Sequence, residues 1–153
     1  MNQKDYVIIS HLRQNARESL TSISRKTKIR VSTIYEKLKR SENSVIVKNT
    51  CLVDFSKLGF NTRASIFIQS SLDKKQALLS HLLKSNSVNS VYKINNGFDF
   101  MVESIFKNML ELEEFIENLR VSFKVKRAET YYIISDLKRE AFLSSPETLS
   151  LII

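Results

Sequence analysis

Between Val31 and Arg40 the chain sets Ser32, Thr33, Glu36, Lys37 and Arg40 on one side of an expected helix. Ile34 and Leu38, at i and i+4, fall on the other side. Hydroxyls at Ser32 and Thr33 can donate and accept. Glu36 can accept from a cytosine amino group and Lys37 can reach a guanine edge. Tyr35, at the margin of this face, suits a phosphate or a thymine methyl group. Lys28 and Arg30 precede the helix, where its dipole already favours an anion, and so suit phosphates. Arg25, Lys26, Lys39 and Lys48 extend the phosphate-contacting rim. Such a helix would read base edges in the major groove of double-stranded DNA. Any one of these cations could equally be plain solvated surface. The cluster is harder to explain that way, because the outward face of this helix has no other evident task.

Little else in the chain could carry chemistry. Its two histidines, His11 and His81, fall on separate expected helices, share no motif, and read as surface or partly buried structural side chains. With one cysteine and no paired Cys or His spacing, no metal site is expected. Only Gly59 and Gly97 are glycines, which excludes a glycine-rich phosphate loop. Glu111, Glu113, Glu114 and Glu117 alternate with Leu112, Phe115 and Ile116, making them the solvated side of an amphipathic helix and not a carboxylate pair. No catalytic residue and no cofactor is expected.

The reading helix needs elements to hold it. Helices are expected over 3–14, with Ile8, Ile9 and Leu12 inward, over 20–27 with Ser19 as cap and Leu20 and Ile23 inward, and over 31–41. Residues 41–44 make a turn, and the β-branched run Val45–Val53 reads as a strand. Three short helices followed by a strand describe a winged helix-turn-helix over 1–53. Asn15, Asn43, Asn61, Asn95 and Asn96 fall at turns.

Residues 54–62 read as a hinge around Gly59. Beyond it, strands are expected over 63–71, 88–94, 98–106 and 125–135, the third with Phe98, Phe100 and Val102 on one face. Helices are expected over 73–86, capped by Asp73 with Leu78, Leu79, Leu82 and Leu83 inward, and over 107–120 with Leu112, Phe115, Ile116 and Leu119 inward. The order βαββαβ over 63–135 is the ferredoxin-like pattern, an antiparallel sheet with both helices on one face. The fold class is therefore α+β. The tail, 136–153, is ambiguous, although its apolar end LSLII would be costly to leave in water.

Charge supports this division. The 153 residues carry a net +8. Residues 1–52 hold eleven Lys and Arg against four Asp and Glu, a net of +7, while the remainder holds thirteen against twelve. A basic module thus precedes a nearly neutral one, which points to a polyanionic partner. An apolar share of 42% argues for a true core. The single Cys51 excludes a disulfide framework and favours the cytoplasm. No secretory signal is expected, and no apolar run is long enough to span a membrane.

The sequence resembles the Lrp/AsnC family of prokaryotic regulators. Asp5 with Ile8-Ile9-x-x-Leu12 and Asn15-Ala16-Arg17 is similar to the family's first helix and turn. Ile23-Ser24-x-Lys26 and Val31-Ser32-Thr33-Ile34-Tyr35 resemble its helix-turn-helix. Val45-Ile46 is similar to its wing, Asp54 through Leu58-Gly59 to its linker, and Val125-x-Arg127-x-Glu129-Thr130-Tyr131 to its closing strand. Ser44 replaces a usual glycine, and Arg30 a usual small residue or proline. The resemblance implies a transcription regulator that assembles through its second domain, as a dimer, tetramer or octamer, on a pseudo-palindromic operator.

It also implies an effector cleft, where the family's Gly-Asp-Tyr-Asp loop appears as Asn96-Gly97-Phe98-Asp99. Asn96 adds a side chain where space is needed and Gly97 removes a carboxylate, so weak or absent amino-acid binding is expected at Asn96, Gly97 and Asp99. Two other readings stand beside this one. Sirohaem decarboxylases resemble the family in both domains, but they depend on histidine and arginine near the substrate, and here the second domain has only His81. An assembly or co-regulator protein that no longer binds DNA sits poorly with the +7 of the first third.

Overall fold

The computed structural model describes residues 2–42 and 44–151, which form two compact units, Met1–Leu52 with Leu137–Ile153 and Val53–Asp136. The first unit is helical. Helix α1 (Gln3–Gln14) starts on a reciprocal cap: the Asp5 amide donates to Asn2 Oδ1 at 3.2 Å and the Asn2 amide to Asp5 Oδ2 at 2.6 Å. Helix α2 (Leu20–Thr27) starts on Ser19, whose Oγ accepts from the Ser22 amide, and ends on Lys28 in the left-handed region at φ 60°. Helix α3 (Val31–Ser41) follows at once. Ile8, Ile23, Ile29 and Ile34 close a small core, with Leu12, Leu20 and Leu38 against it. These are the helices that periodicity predicts, but Ile9, expected inward, is only half-buried and outside this core, while Ile29, expected in a turn, is part of it.

The strand expected over Val45–Val53 does not form. Among the described residues the segment makes one isolated bridge, Glu42 to Ile46, and Val47 is 94% exposed. β-branched apolar residues favour extended backbone, but a strand exists only where a neighbour satisfies its amides, and among the described residues only the Glu42 bridge does so here. Ser44 bonds back to the carbonyls of Arg40 and Ser41, so the turn after α3 is made without glycine. Asn43, expected in that turn, lies outside the described residues.

The tail joins this helical unit. Arg13 donates to Glu140 Oε2 at 3.1 Å and to the carbonyls of Glu140 and Phe142 at 3.0 and 3.1 Å. A short 3-10 helix, Pro146–Leu151, carries Leu149 into burial. Ile152 and Ile153, the end of the apolar run, lie outside the described residues.

The second unit opens with a 3-10 turn, Phe55–Leu58, closed by Gly59 at φ 87°. Its strands are β1 (Thr62–Ser70), β2 (Val88–Lys93), β3 (Phe100–Phe106) and β4 (Val125–Tyr132), antiparallel in the order β2-β3-β1-β4. Helices α4 (Lys75–Lys84) and α5 (Met109–Phe123) bury Leu78, Leu82, Leu112, Ile116 and Leu119 against Ala64, Ile66, Ile68, Phe100, Val102 and Phe106. All six sheet residues occupy one face, as strand alternation requires. This is the ferredoxin-like arrangement.

Four details differ from expectation. Asp73 does not cap α4: Lys74 holds the cap position, with no side-chain bond to the helix. Leu83 is 68% exposed, because α4 shows the sheet a stripe narrow enough to be filled by Leu78 and Leu82. Phe98 lies ahead of β3, and its ring meets Phe67 on the other face of the sheet, 5.7 Å between centroids. Helix α5 begins at Met109, capped by Asn108, and runs on to Phe123 before Lys124 ends it at φ 50°.

Candidate nucleic-acid interface

Helix α3 presents Ser32, Tyr35, Glu36, Lys39 and Arg40 to solvent, with Thr33 half-buried and Ile34 sealed beneath. The left-handed Lys28 makes the turn that aims α3, and Arg30 stands at the cap position of α3 with no side-chain bond to the helix amides. Its first amides are therefore not occupied by a capping side chain. Arg25, Lys28, Arg30 and Arg40 are exposed, and none makes an ion pair among the described residues. Lys48 is exposed in the irregular segment after α3. Arg25 lies on α2, Lys28 and Arg30 lie in the turn between α2 and α3, and Ser32, Tyr35, Glu36 and Arg40 lie on α3, all of them exposed. Lys48 stands on a separate segment.

Two of the expected cations are already engaged. Lys26 Nζ lies 2.5 Å from Glu18 Oε1, which also accepts from Ser22 Oγ at 2.7 Å. His11 Nδ1 stands 3.2 Å from the other oxygen of Glu18. The ammonium of Lys26, then the hydroxyl of Ser22, hold the Glu18 carboxyl down to about 2. Lys37 Nζ lies 2.5 Å from Asp5 Oδ1 and 3.2 Å from Asn2 Oδ1. That bond, ahead of the Asn2 backbone bond, lowers the pKa of Asp5 below the usual carboxylate range. Asn2 and Glu18 carry no sequence signal for these partnerships: the Lys37 contact depends on how α1 and α3 meet, and the Glu18 contacts on how the chain enters α2.

In the second unit Asn96 and Gly97 both adopt positive φ, 63° and 86°, forming the exposed turn before β3. Asp99 turns inward. Its Oδ2 accepts from the Ser70 amide at 2.8 Å and the Ser70 hydroxyl at 3.1 Å, and its Oδ1 lies 2.5 Å from Lys75 Nζ. Burial pushes the Asp99 carboxyl up, but Lys75 and Ser70 outweigh it, and the net shift is downward. Asp99 therefore ties the end of β1 to the start of β3. Ser70 and Lys75, absent from the sequence-derived set, complete this clamp.

Among the described residues no three His, Cys, Asp or Glu side chains are grouped to hold a metal ion, and no helix is long and apolar enough to cross a membrane.

The family model of the Lrp/AsnC ligand binding domain matches residues 63–142. This chain belongs to the Lrp/AsnC family. Among this Lrp/AsnC protein's relatives is the HTH-type transcriptional regulator FL11 of Pyrococcus furiosus, 34% identical over 114 residues, spanning 74% of this chain and 76% of that one. The FL11 regulator of Pyrococcus abyssi is 31% identical over 118 residues, 76% of this chain and 78% of the relative. The fold is shared with a Neisseria meningitidis transcriptional regulator solved with L-methionine, at a TM-score of 0.82 and 18% identity, covering 91% of this chain and 93% of that one. It is shared too with Bacillus subtilis LrpC, at 0.80 and 22%, covering 90% and 97%. The Lrp/AsnC chain described here is a transcription regulator of the helix-turn-helix type.

Proposed function

We propose that this Lrp/AsnC regulator reads a pseudo-palindromic DNA site by laying α3 in the major groove, and does so as a cytoplasmic homo-oligomer without enzymatic activity. The observation that carries the reading is that Arg25, Lys28, Arg30 and Arg40 are exposed on or just before a helix whose Ser32, Tyr35 and Glu36 are exposed too, and make no ion pair among the described residues. Cations at the rim of the helix would hold phosphates and set its register, while Ser32, Thr33, Glu36 and Arg40 would meet base edges. Lys48 would add a phosphate contact from the following segment. One helix of this size discriminates few bases, so two copies related by a two-fold axis would be needed, with half-sites roughly 34–36 Å apart.

The sheet face away from α4 and α5 supports the assembly. It carries Phe67 between the rings of Phe98 and Tyr131, the latter 5.5 Å away, with the Arg127 guanidinium 4.9 Å from the Phe98 ring centre. An apolar and aromatic face of this kind calls for cover. Effector binding would be weak. The Neisseria regulator was solved with L-methionine, but in this chain Asn96 and Gly97 depart from the loop that the family resemblance implies, and Asp99 is committed to Lys75 and Ser70.

Selection of bound fragments from a random DNA pool, at one stated salt concentration, tests the reading. Enrichment of a symmetric site with half-sites about one turn apart is expected. Retention that shows no enrichment, and that vanishes as salt rises, would leave only unspecific charge attraction.

A further inference from the structure

We infer that Lys37 is a positioning residue: anchored by Asp5 and Asn2, it fixes the angle of the recognition helix against α1 and does not itself read bases. The inference rests on the proposal that α3 reads DNA.

By spacing alone Lys37 belongs to the outward set of α3. The folded unit removes it from that set. Its ammonium sits 2.5 Å from Asp5 Oδ1 and 3.2 Å from Asn2 Oδ1, and the side chains of Lys37 and Asp5 are only 17% and 16% exposed. Ser32, Glu36 and Arg40, at i, i+4 and i+8, stay in solvent. A lysine that left this site for a base edge would abandon a charge-assisted bond and strand a half-buried carboxylate.

The anchor is itself fixed. Asp5 and Asn2 are the two halves of the cap on α1, so the groups that hold Lys37 cannot swing without unwinding the first turn of that helix. Asp5 lies three residues before Ile8, and Lys37 three residues after Ile34, so each shares a helix face with its buried isoleucine. The isoleucine core sets the distance between α1 and α3. The polar cluster beyond it sets their relative rotation, which apolar contacts define poorly because they lack direction. Side chains that read bases must be held to a fraction of an ångström by supporting residues of this kind.

The test uses the full chain as wild type, Asp5→Asn, Lys37→Met and the double variant. Each is measured below its melting temperature against the selected site and against random DNA, over a range of salt. A tether predicts that each single substitution weakens binding to the selected site about tenfold while random DNA loses little, and that the double variant is no worse than the worse single, because both break one contact. It also predicts a salt slope unchanged in all four. Should Lys37→Met fail to fold, Asp5→Asn and Asn2→Ala carry the test, since each loosens the hold on Lys37, one by removing its ion pair and the other its second acceptor, with its charge intact. A base or phosphate contact would then keep or gain affinity, whereas a lost tether lowers site preference.

Tighter binding by Asp5→Asn, or a slope reduced by about 0.9 in Lys37→Met alone, or fully additive losses, would each overturn the inference. Absence of site preference in the wild type would overturn the DNA reading itself, and the purpose of the tether with it. That result comes from the wild-type measurement alone, so the two failures are told apart.

Discussion

At the scale of single residues, the carboxylates behind the basic face decide which cations are available. Glu18 holds Lys26, and Asp5 holds Lys37. Glu18 has a folded-state pKa of about 2 against an ordinary 4.5. Because the folded value is the lower one, its contribution to stability is complete above the ordinary value and disappears as pH falls towards the folded value. Thermal melts should therefore show wild type more stable than Glu18→Gln above pH 4.5, with the gap narrowing from there towards pH 2. A gap that stays constant across that window would mean the carboxylate charge is not what Lys26 and Ser22 hold. Asp99 makes a second argument at this scale. With its oxygens committed to Ser70 and Lys75, little remains to pair with a ligand ammonium. Calorimetry with the twenty amino acids should find none binding tighter than about 100 μM, or roughly 5.5 kcal/mol. One that does would restore a working effector cleft to the Asn96-Gly97 loop.

At the scale of elements, the tail is part of the helical unit. One guanidinium, Arg13, holds it at a side chain and two main-chain carbonyls, flanking a stretch where Glu140 and Leu143 adopt positive φ. Left-handed backbone at non-glycine residues is unfavourable and persists where surrounding contacts impose it. Arg13→Ala should release the segment around residues 138–145 at a cost of about 1 kcal/mol, discounted for partial exposure. Limited proteolysis within that segment should accelerate about fivefold, with α3 still protected. An unchanged cleavage rate would mean that Leu149 and its 3-10 turn hold the tail without Arg13.

At the scale of the whole molecule, a regulator with one small recognition helix per chain depends on assembly for its specificity. Phe67, packed edge-on against Phe98 and Tyr131, lies mid-strand on the sheet face opposite the helices. Phe67→Glu would place a charge at the centre of that face without touching the core of Ile66 and Ile68 on the other side. Light scattering at micromolar concentration should then show a monomer where wild type shows a dimer or larger. Binding to a two-half-site operator should fall far more than binding to a single half-site. An unaltered mass would move the assembly interface elsewhere.

Periodicity and capping residues were enough to fix the helices of the reading unit, because α1, α2 and α3 carry their own stripes and, for α2, its own Ser19 cap. The order of strands and helices in the second unit was legible for the same reason, since alternation in β1 and β3 reports directly which residues face the helices. The candidate cations could likewise be read from type and spacing. Three other features came only from tertiary structure. Val45–Val53 has the composition of a strand, yet stays irregular because a strand needs a partner that composition cannot supply. Leu83 and Phe98 fit the apolar patterns and still fall off the core, since the neighbouring element decides how wide a stripe is covered. Lys37 shares its spacing with Arg40 but is bound by residues more than thirty positions away. Spacing places a side chain on a face of its own helix, and only the crossing of two helices decides whether a carboxylate waits there.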